Sequence, residues 1–195
     1  MNEAYKRQVS LLLDVLPFIA EEDDIALHGG TAINLFVRNM PRLSVDVDLT
    51  YLPIEDRDTS LKNIAAILKR IQTRLESTIE GISIEPKIDV GKLFISKENA
   101  LIKLEINLVG RGTYKKPETA ILCESAQEEF DVFVEMKMVP VQQLYGGKIC
   151  AALDRQHPRD LFDVKYLLEN EGFSGELIAG FIFCILGAKD PFMKY

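Results

Sequence analysis

Ser44-Val45-Asp46-Val47-Asp48-Leu49, preceded upstream by Ile25-Ala26-Leu27-His28-Gly29-Gly30-Thr31, is the stretch on which the fold of this chain turns. Read as a strand, its period of two sets Asp46, Asp48 and Thr50 on one face and Val45, Val47 and Leu49 on the other. Two carboxylates then share a face. Like charges so placed repel and raise each other's pKa, so a cation or a shared proton must compensate. The pair is therefore a candidate metal site, although an isolated Asp-x-Asp is more often a solvated strand edge.

Immediately upstream, Ile25 to His28 reads as a short apolar strand running into Gly29-Gly30, and Thr31 to Arg38 as a helix burying Ala32, Leu35 and Phe36. Glycine lets the backbone approach a ligand closely, and a helix starting just after it offers free N–H groups to a phosphate. A glycine pair in a tight turn is more often structural. It matches neither a P-loop nor a Gly-x-Gly-x-x-Gly fingerprint.

Working outward, Tyr5, Val9, Leu12, Leu16 and Ile19 recur at helical spacing from about residue 3 to residue 21, ended by the acidic run Glu21 to Asp24. Asn39 to Leu43 reads as a loop. Ile64, Leu68, Ile71 and Leu75 mark a second long helix. From Gly81 the period falls to two: Ile82, Ile84 and Ile88, then Ile102, Leu104, Ile106 and Leu108, predict half-buried strands. A polar connection from Gly110 to Thr119 precedes a further strand on Val132, Val134, Met136 and Met138. Pro140 and Pro158 open helices to about Leu153 and Leu168, and Ser174 to Leu186 forms a third. The chain is thus predicted to be α+β, with a core over 1–139 and a helical region over 140–195.

With 195 residues, 47% hydrophobic and 27% charged, the chain suits one medium domain of ordinary soluble composition. A net charge of −7 argues against a surface that grips nucleic acid all over, and leaves room for a local basic cleft. Cys123, Cys150 and Cys184 form no Cys-x-x-Cys pair, which speaks against a disulfide framework or a cysteine zinc site. The first residues lack the pattern of a secretory leader, and the apolar run Ile178 to Leu186 is too short to span a bilayer. A cytoplasmic protein with no membrane partner is expected.

Three further residues carry chemistry. Glu105 lies mid-strand on the polar side of Leu104-Glu105-Ile106-Asn107, where it would add a third carboxylate to Asp46 and Asp48. Three such groups would suit a pair of Mg²⁺ ions in phosphoryl transfer. Lys148 falls on a helical wheel between Leu144 and Ala152, inside an apolar arc with Val141 and Tyr145. It either snorkels to the edge of the interface or reaches an anionic ligand. Asp160, in the first turn after Pro158, is already accounted for by the helix dipole. His28 and His157 make no zinc or triad constellation, and the serines have no nucleophile-elbow setting. Arg111, Lys115 and Lys116 read as a solvated loop first and as contacts to RNA phosphate second.

Taken in order, Leu27-His-Gly-Gly-Thr-Ala-Ile33, Ser44-Val-Asp-Val-Asp-Leu49 and Lys103-Leu-Glu-Ile-Asn107 resemble the core motifs of the polymerase-beta-type nucleotidyltransferases. Leu144-Tyr-Gly-Gly-Lys148, continuing through Ala152-Leu-Asp-Arg155 to Arg159-Asp-Leu-Phe-Asp-Val164, is similar to the AbiEii-type abortive-infection toxins in particular. The resemblance spans roughly Ala26 to Leu168. It implies a mixed-sheet nucleotidyltransferase core flanked by helices, with a helical region after it. It implies a nucleoside triphosphate held by Gly29, Gly30, Thr31, Ser44 and Lys148, and Mg²⁺, with Mn²⁺ as an alternative, on Asp46, Asp48 and Glu105. Lys148 and Asp160 match later motifs of the toxin family and complete the implied catalytic set of Asp46, Asp48, Glu105, Lys148 and Asp160.

The implied activity is Mg-dependent transfer of a nucleoside monophosphate to a hydroxyl acceptor, RNA and in particular the acceptor end of transfer RNA, by the toxin of a toxin–antitoxin or phage-defence system with a cognate antitoxin. Members continue with more helical sequence than follows Phe181-Ile-Phe-Cys-Ile185, so a reduced member is expected. Its alternative role is a catalytically silent nucleotide-binding or antitoxin-binding module. A plain kinase or nucleotide hydrolase is a third reading.

Overall fold

The computed structural model describes residues 3–187, so residues 1–2 and 188–195 at the ends of the expected core and helical region lie outside it. A mixed seven-stranded sheet organises the chain, as expected, with helices on both of its faces. The strands are β1 (Ile25–His28), β2 (Asp46–Tyr51), β3 (Ile82–Lys87), β4 (Lys92–Lys97), β5 (Ala100–Arg111), β6 (Glu118–Ile121) and β7 (Glu135–Met138), in the order β3-β4-β5-β2-β1-β7-β6. β2 sits at the centre, parallel to β5 and antiparallel to β1; β1 and β7 are parallel, and the outer pairs are antiparallel.

The helices are α1 (Glu3–Ala20), α2 (Gly29–Ala32), α3 (Arg57–Thr78), α4 (Glu124–Phe130), α5 (Val141–Arg155), α6 (Pro158–Asn170) and α7 (Gly175–Leu186). α1 packs on β5 and β7 and touches α3, which lies on β3 and β4. Of the periodic residues, α1 buries Val9, Leu12, Leu16 and Ile19 but leaves Tyr5 in its first turn exposed, and α3 buries Ile64, Leu68, Ile71 and Leu75. Against them the sheet presents Val47, Leu49, Leu104 and Ile106, all essentially inaccessible. Asp56 caps α3 by accepting a hydrogen bond from the Thr59 N–H at 2.9 Å. The opposite side of β2 is left polar.

Several boundaries differ from expectation for physical reasons. The helix expected over Thr31 to Arg38 starts at Gly29 and widens into a π turn over Ile33–Val37. The strand expected from Val132 begins only at Glu135, because Asp131 adopts a left-handed conformation that closes α4. Ile88 leaves the strand for a single 3-10 turn that returns the chain through Gly91 (φ +72) into β4. The polar connection is shorter than Gly110 to Thr119, since β5 runs to Arg111 and β6 starts at Glu118. Arg111 is not a free loop cation: it donates to the Glu55 carbonyl at 2.9 Å and to the Ser60 hydroxyl at 2.8 Å. Pro140 stands at the N-cap of α5 rather than inside it, whereas Pro158 does open α6.

The C-terminal helices form a compact layer. α5 touches α2 and carries α6 and α7. Gly146 of α5 and Gly180 of α7 face each other so closely that a Cβ on Gly146 would lie 2.6 Å from the Gly180 carbonyl. No helix among the described residues is long and apolar enough to cross a membrane.

Candidate active site

β2 presents Asp46 and Asp48 on the polar side of the sheet because Val47 and Leu49 are claimed by the core on the other. The register fixes their neighbours. Asp46 lies opposite Lys103 and Asp48 opposite Glu105 on β5, while His28 of β1 flanks Asp48 from the other side. Asp46, Asp48 and Glu105 therefore share one face, as the alternation predicts. Burial raises the Asp48 pKa above the usual carboxylate range; the charges of Asp46 and Glu105 add to the rise, and those of Lys103 and Lys148 oppose it. Glu105 is paired instead: Lys103 donates to its Oε2 at 2.9 Å and Lys92 stands 3.4 Å from the same oxygen. Among the described residues no group of three His, Cys, Asp or Glu side chains closes into a metal cage.

Gly29 brings the chain from β1 directly into α2. Its φ of +74 is one that a side chain resists, and a Cβ there would land on Asp48 Oδ2. Gly30 lies under Arg42 and Ser44, each 3.0 Å from where a Cβ would stand. Thr31 differs from the two glycines. It is fully buried, and its hydroxyl donates to the Asp46 carbonyl at 2.5 Å, so it fixes the start of β2 rather than facing a ligand.

Lys148 is 7% exposed, Asp160 1% and Asp163 2%. The Lys148 ammonium sits 2.8 Å from Asp160 Oδ1 and 3.3 Å from Asp163 Oδ2. Each carboxylate has its own arginine: Arg155 holds Asp160 at 2.7 Å, and Arg42 grips Asp163 through two bonds of 2.9 and 2.5 Å. Burial alone would raise Asp160, but the hydrogen bonds from Arg155 and Lys148 prevail and hold it at about 2. Lys148 thus does not snorkel to an edge of the apolar arc: it is buried against two carboxylates of α6. Asp163 and Arg42 escaped notice because their partners lie far away in sequence.

These parts meet in a polar cleft of about 130 Å³ lined by Gly30, Ser44, Asp46, Asp48 and Asp160 together with Arg42, Lys103, Lys148, Arg155 and Arg159. Two acids on one wall and five bases around them make a place for a polyanion that arrives with a cation. Five cationic side chains supply the positive charge of this cleft. Beside it lies a larger, more apolar cleft of about 890 Å³, lined in part by His28, Asn107, Gln143, Gly147, Cys150 and Phe183. His28 stands at its wall, with its Nδ1 buried and unpartnered, and its ring would lie 3.1 Å from a Cβ on Gly147. Desolvation and the nearby Lys148 push its pKa down to about 4, so it is neutral at pH 7.

Two carboxylates plus substrate phosphates are the donor set that Mg²⁺ takes, so Asp46 and Asp48 fit a hard divalent ion as they stand. Glu105 fits only once its lysines release it.

Comparison with known proteins agrees with this arrangement. The model of a family described as the nucleotidyl transferase AbiEii toxin of type IV toxin–antitoxin systems matches residues 10–185. MenT4, a nucleotidyltransferase toxin from Mycobacterium tuberculosis H37Rv, shares the fold with a TM-score of 0.71 at 12% identity, over 96% of this chain and 67% of that one. JHP933 from Helicobacter pylori superposes with a TM-score of 0.57 at 19% identity, over 92% and 73% of the two chains. At such identities the likeness shows the fold alone. No curated protein matches in sequence.

Proposed function

Since the chain belongs to the AbiEii family of nucleotidyl transferase toxins of type IV toxin–antitoxin systems, we propose that it uses Mg²⁺ to transfer a nucleoside monophosphate from a triphosphate to an RNA hydroxyl, with the acceptor end of transfer RNA as the target. The observation that carries this reading is that Asp46 and Asp48 line one cleft together with Gly30, Arg42, Lys103, Lys148, Arg155 and Arg159. A triphosphate needs such neutralisation on several sides, and a nucleotidyl transfer needs hard oxygen donors next to the α-phosphate.

In this reading Asp46 and Asp48 hold the ion. When bound, the ion supplies charge stabilisation at the reacting phosphate. Gly30 lets the phosphates approach the backbone, and Ser44, whose hydroxyl lies over Gly30, orients them. Lys148 contributes a fixed charge. Set against Asp160 and Asp163, the three cations Lys148, Arg155 and Arg42 leave this ion network one positive charge in excess. That charge is held in place before the reaction starts, so little reorganisation is needed as negative charge develops on the leaving pyrophosphate. The acceptor oxygen forms its bond to the α-phosphorus, the bond to pyrophosphate breaks, and the acceptor proton leaves to a carboxylate or to water. Glu105 is the third catalytic carboxylate of this proposal, and Asp160 keeps Lys148 in position. The 890 Å³ cleft has the size and apolar lining for the nucleoside and the acceptor terminus.

The test is incubation of the protein with each labelled triphosphate and total RNA, with Asp46→Ala and Asp48→Ala as controls. Labelled RNA from the wild type alone is expected, with sequencing of the product identifying the acceptor. Equal labelling by the variants, or none with any nucleotide and ion, removes the assignment. A cognate antitoxin is the implied protein partner, and its co-expression should restore growth that the wild type arrests.

A further inference from the structure

Three carboxylates on one sheet face must be compensated by positive charge whether or not an ion is bound. Lys103 is placed to do this. It faces Asp46 across the β2–β5 ladder, its ammonium bonds Glu105 two residues along its own strand at 2.9 Å, and it lines the same cleft as Asp46 and Asp48. Lys92, opposite Glu105 on β4, adds a second, looser contact at 3.4 Å. The side chains of Lys103, Lys92 and Glu105 are each about one-third exposed, so the pairing can open without unpacking the core.

We propose that Lys103 is the tethered counter-cation of the carboxylate face: it occupies Glu105 and competes with the divalent ion, which gains Glu105 as a ligand only when Lys103 gives it up. Lys103 is thus a positioning residue that sets ion affinity. The proposal rests on Asp46 and Asp48 holding the ion, as above. It follows from charge and geometry: an ammonium and a divalent cation that draw on one carboxylate repel each other, so each weakens the other's hold. Lys92 acts in the same sense but more weakly, because it stands farther from Glu105.

The test is Mn²⁺ binding without nucleotide at fixed ionic strength, read as free Mn²⁺ by electron paramagnetic resonance, for the wild type, Lys103→Met, Lys103→Arg, Lys92→Met and Asp48→Asn. Lys103→Met should bind about tenfold tighter than wild type, the size of a modest cation–cation repulsion removed. Lys92→Met should gain less, Lys103→Arg should stay near wild type, and Asp48→Asn should bind no ion. Thermal melting supplies a second readout: in chelator Lys103→Met should melt below wild type, and saturating Mn²⁺ should raise its Tm by more than it raises that of wild type. Unchanged or weaker binding by Lys103→Met, with Asp48→Asn still silent, overturns the role of Lys103 and leaves the ion site standing. A lower Tm that Mn²⁺ does not restore shows Lys103 to be merely structural. Absence of Mn²⁺ binding in every variant overturns this proposal, while the ion site completed by substrate phosphates stands or falls with the labelling test above. Should Lys103→Met fail to fold, Lys103→Gln carries the same expectations.

Discussion

Replacing Asp163 by alanine tests whether the buried ion network fastens α6 to the core. The variant loses four polar contacts: two bonds from Arg42 at 2.9 and 2.5 Å, the Lys148 ammonium at 3.3 Å and the Asn34 amide at 3.3 Å. Removing one member of a buried ion pair leaves the other's charge uncompensated, at a cost of about 3–5 kcal/mol. Two features favour the lower end. Lys148 keeps Asp160 at 2.8 Å, and the Arg42 side chain is 15% exposed, so water reaches its guanidinium. A loss of about 3 kcal/mol is expected, which in a domain of this size lowers Tm by roughly 6–12 °C. Arg155→Ala is the control. Its side chain is 62% exposed and Asp160 keeps Lys148, so a cost of about 1 kcal/mol or less is expected. Lys148→Met should fall between the two, since Asp160 keeps Arg155 and Asp163 keeps Arg42. Urea denaturation with an unchanged m-value measures all three, and a double-mutant cycle of Arg42→Ala with Asp163→Ala should show coupling above about 1 kcal/mol. If Asp163→Ala costs no more than Arg155→Ala, apolar packing alone fastens α6 and the reasoning is refuted.

Other expectations concern the turn, the helix layer and the titration of His28. Gly29→Ala places a Cβ against Asp48 Oδ2 at a left-handed φ, and should lower nucleotidyl transfer by about a hundredfold or more while costing only about 1–2 kcal/mol of stability; full activity would show that Asp48 need not stay where it is. Gly180→Ala drives a Cβ into the Gln142 carbonyl, so α7 should come away from α5 and become the first site of limited proteolysis. An unchanged cleavage pattern would count against that contact. His28 has a folded-state pKa of about 4 against an ordinary 6.5, so the unfolded chain takes up its proton first as the pH falls. Its contribution is fully present above about 6.5 and is lost toward about 4. The stability of wild type relative to His28→Asn should therefore fall across that window, and parallel pH curves for the two would contradict it.

Much of the site was legible because strand alternation is local. The period of two placed Asp46 and Asp48 on one face, and the polar side of β5 delivered Glu105 directly opposite Asp48. Helical periodicity likewise singled out Lys148. What alternation could not supply was partners. β4 was missed because the consecutive apolar residues Leu93, Phe94 and Ile95 hide its alternation, and with it went the second cation on Glu105. Asp160 looked like an ordinary first-turn carboxylate, and only the crossing of α5 and α6 shows that it is buried against Lys148. Arg42 sat in what read as a loop, and Asp163 one turn along α6 from Asp160; their ion pair joins residues far apart in the chain. Thr31, grouped with the two glycines by motif, proved to brace β2 through the Asp46 carbonyl, a distinction that depends on which way one hydroxyl turns.

The close backbone approach of α7 to α5 bears on the order in which the protein is made. Asp46 and Asp48 leave the ribosome early, whereas the helix bearing Lys148 is flanked by α6, which carries its two carboxylate partners, and by α7, which lies on it at Gly146 and Gly180. Arg42 and Lys103 emerge with the carboxylates, whereas Lys148, Arg155 and Arg159 join them only once α5 and α6 have been made, and a domain folds as a unit. The site is completed only when the last described helix has docked.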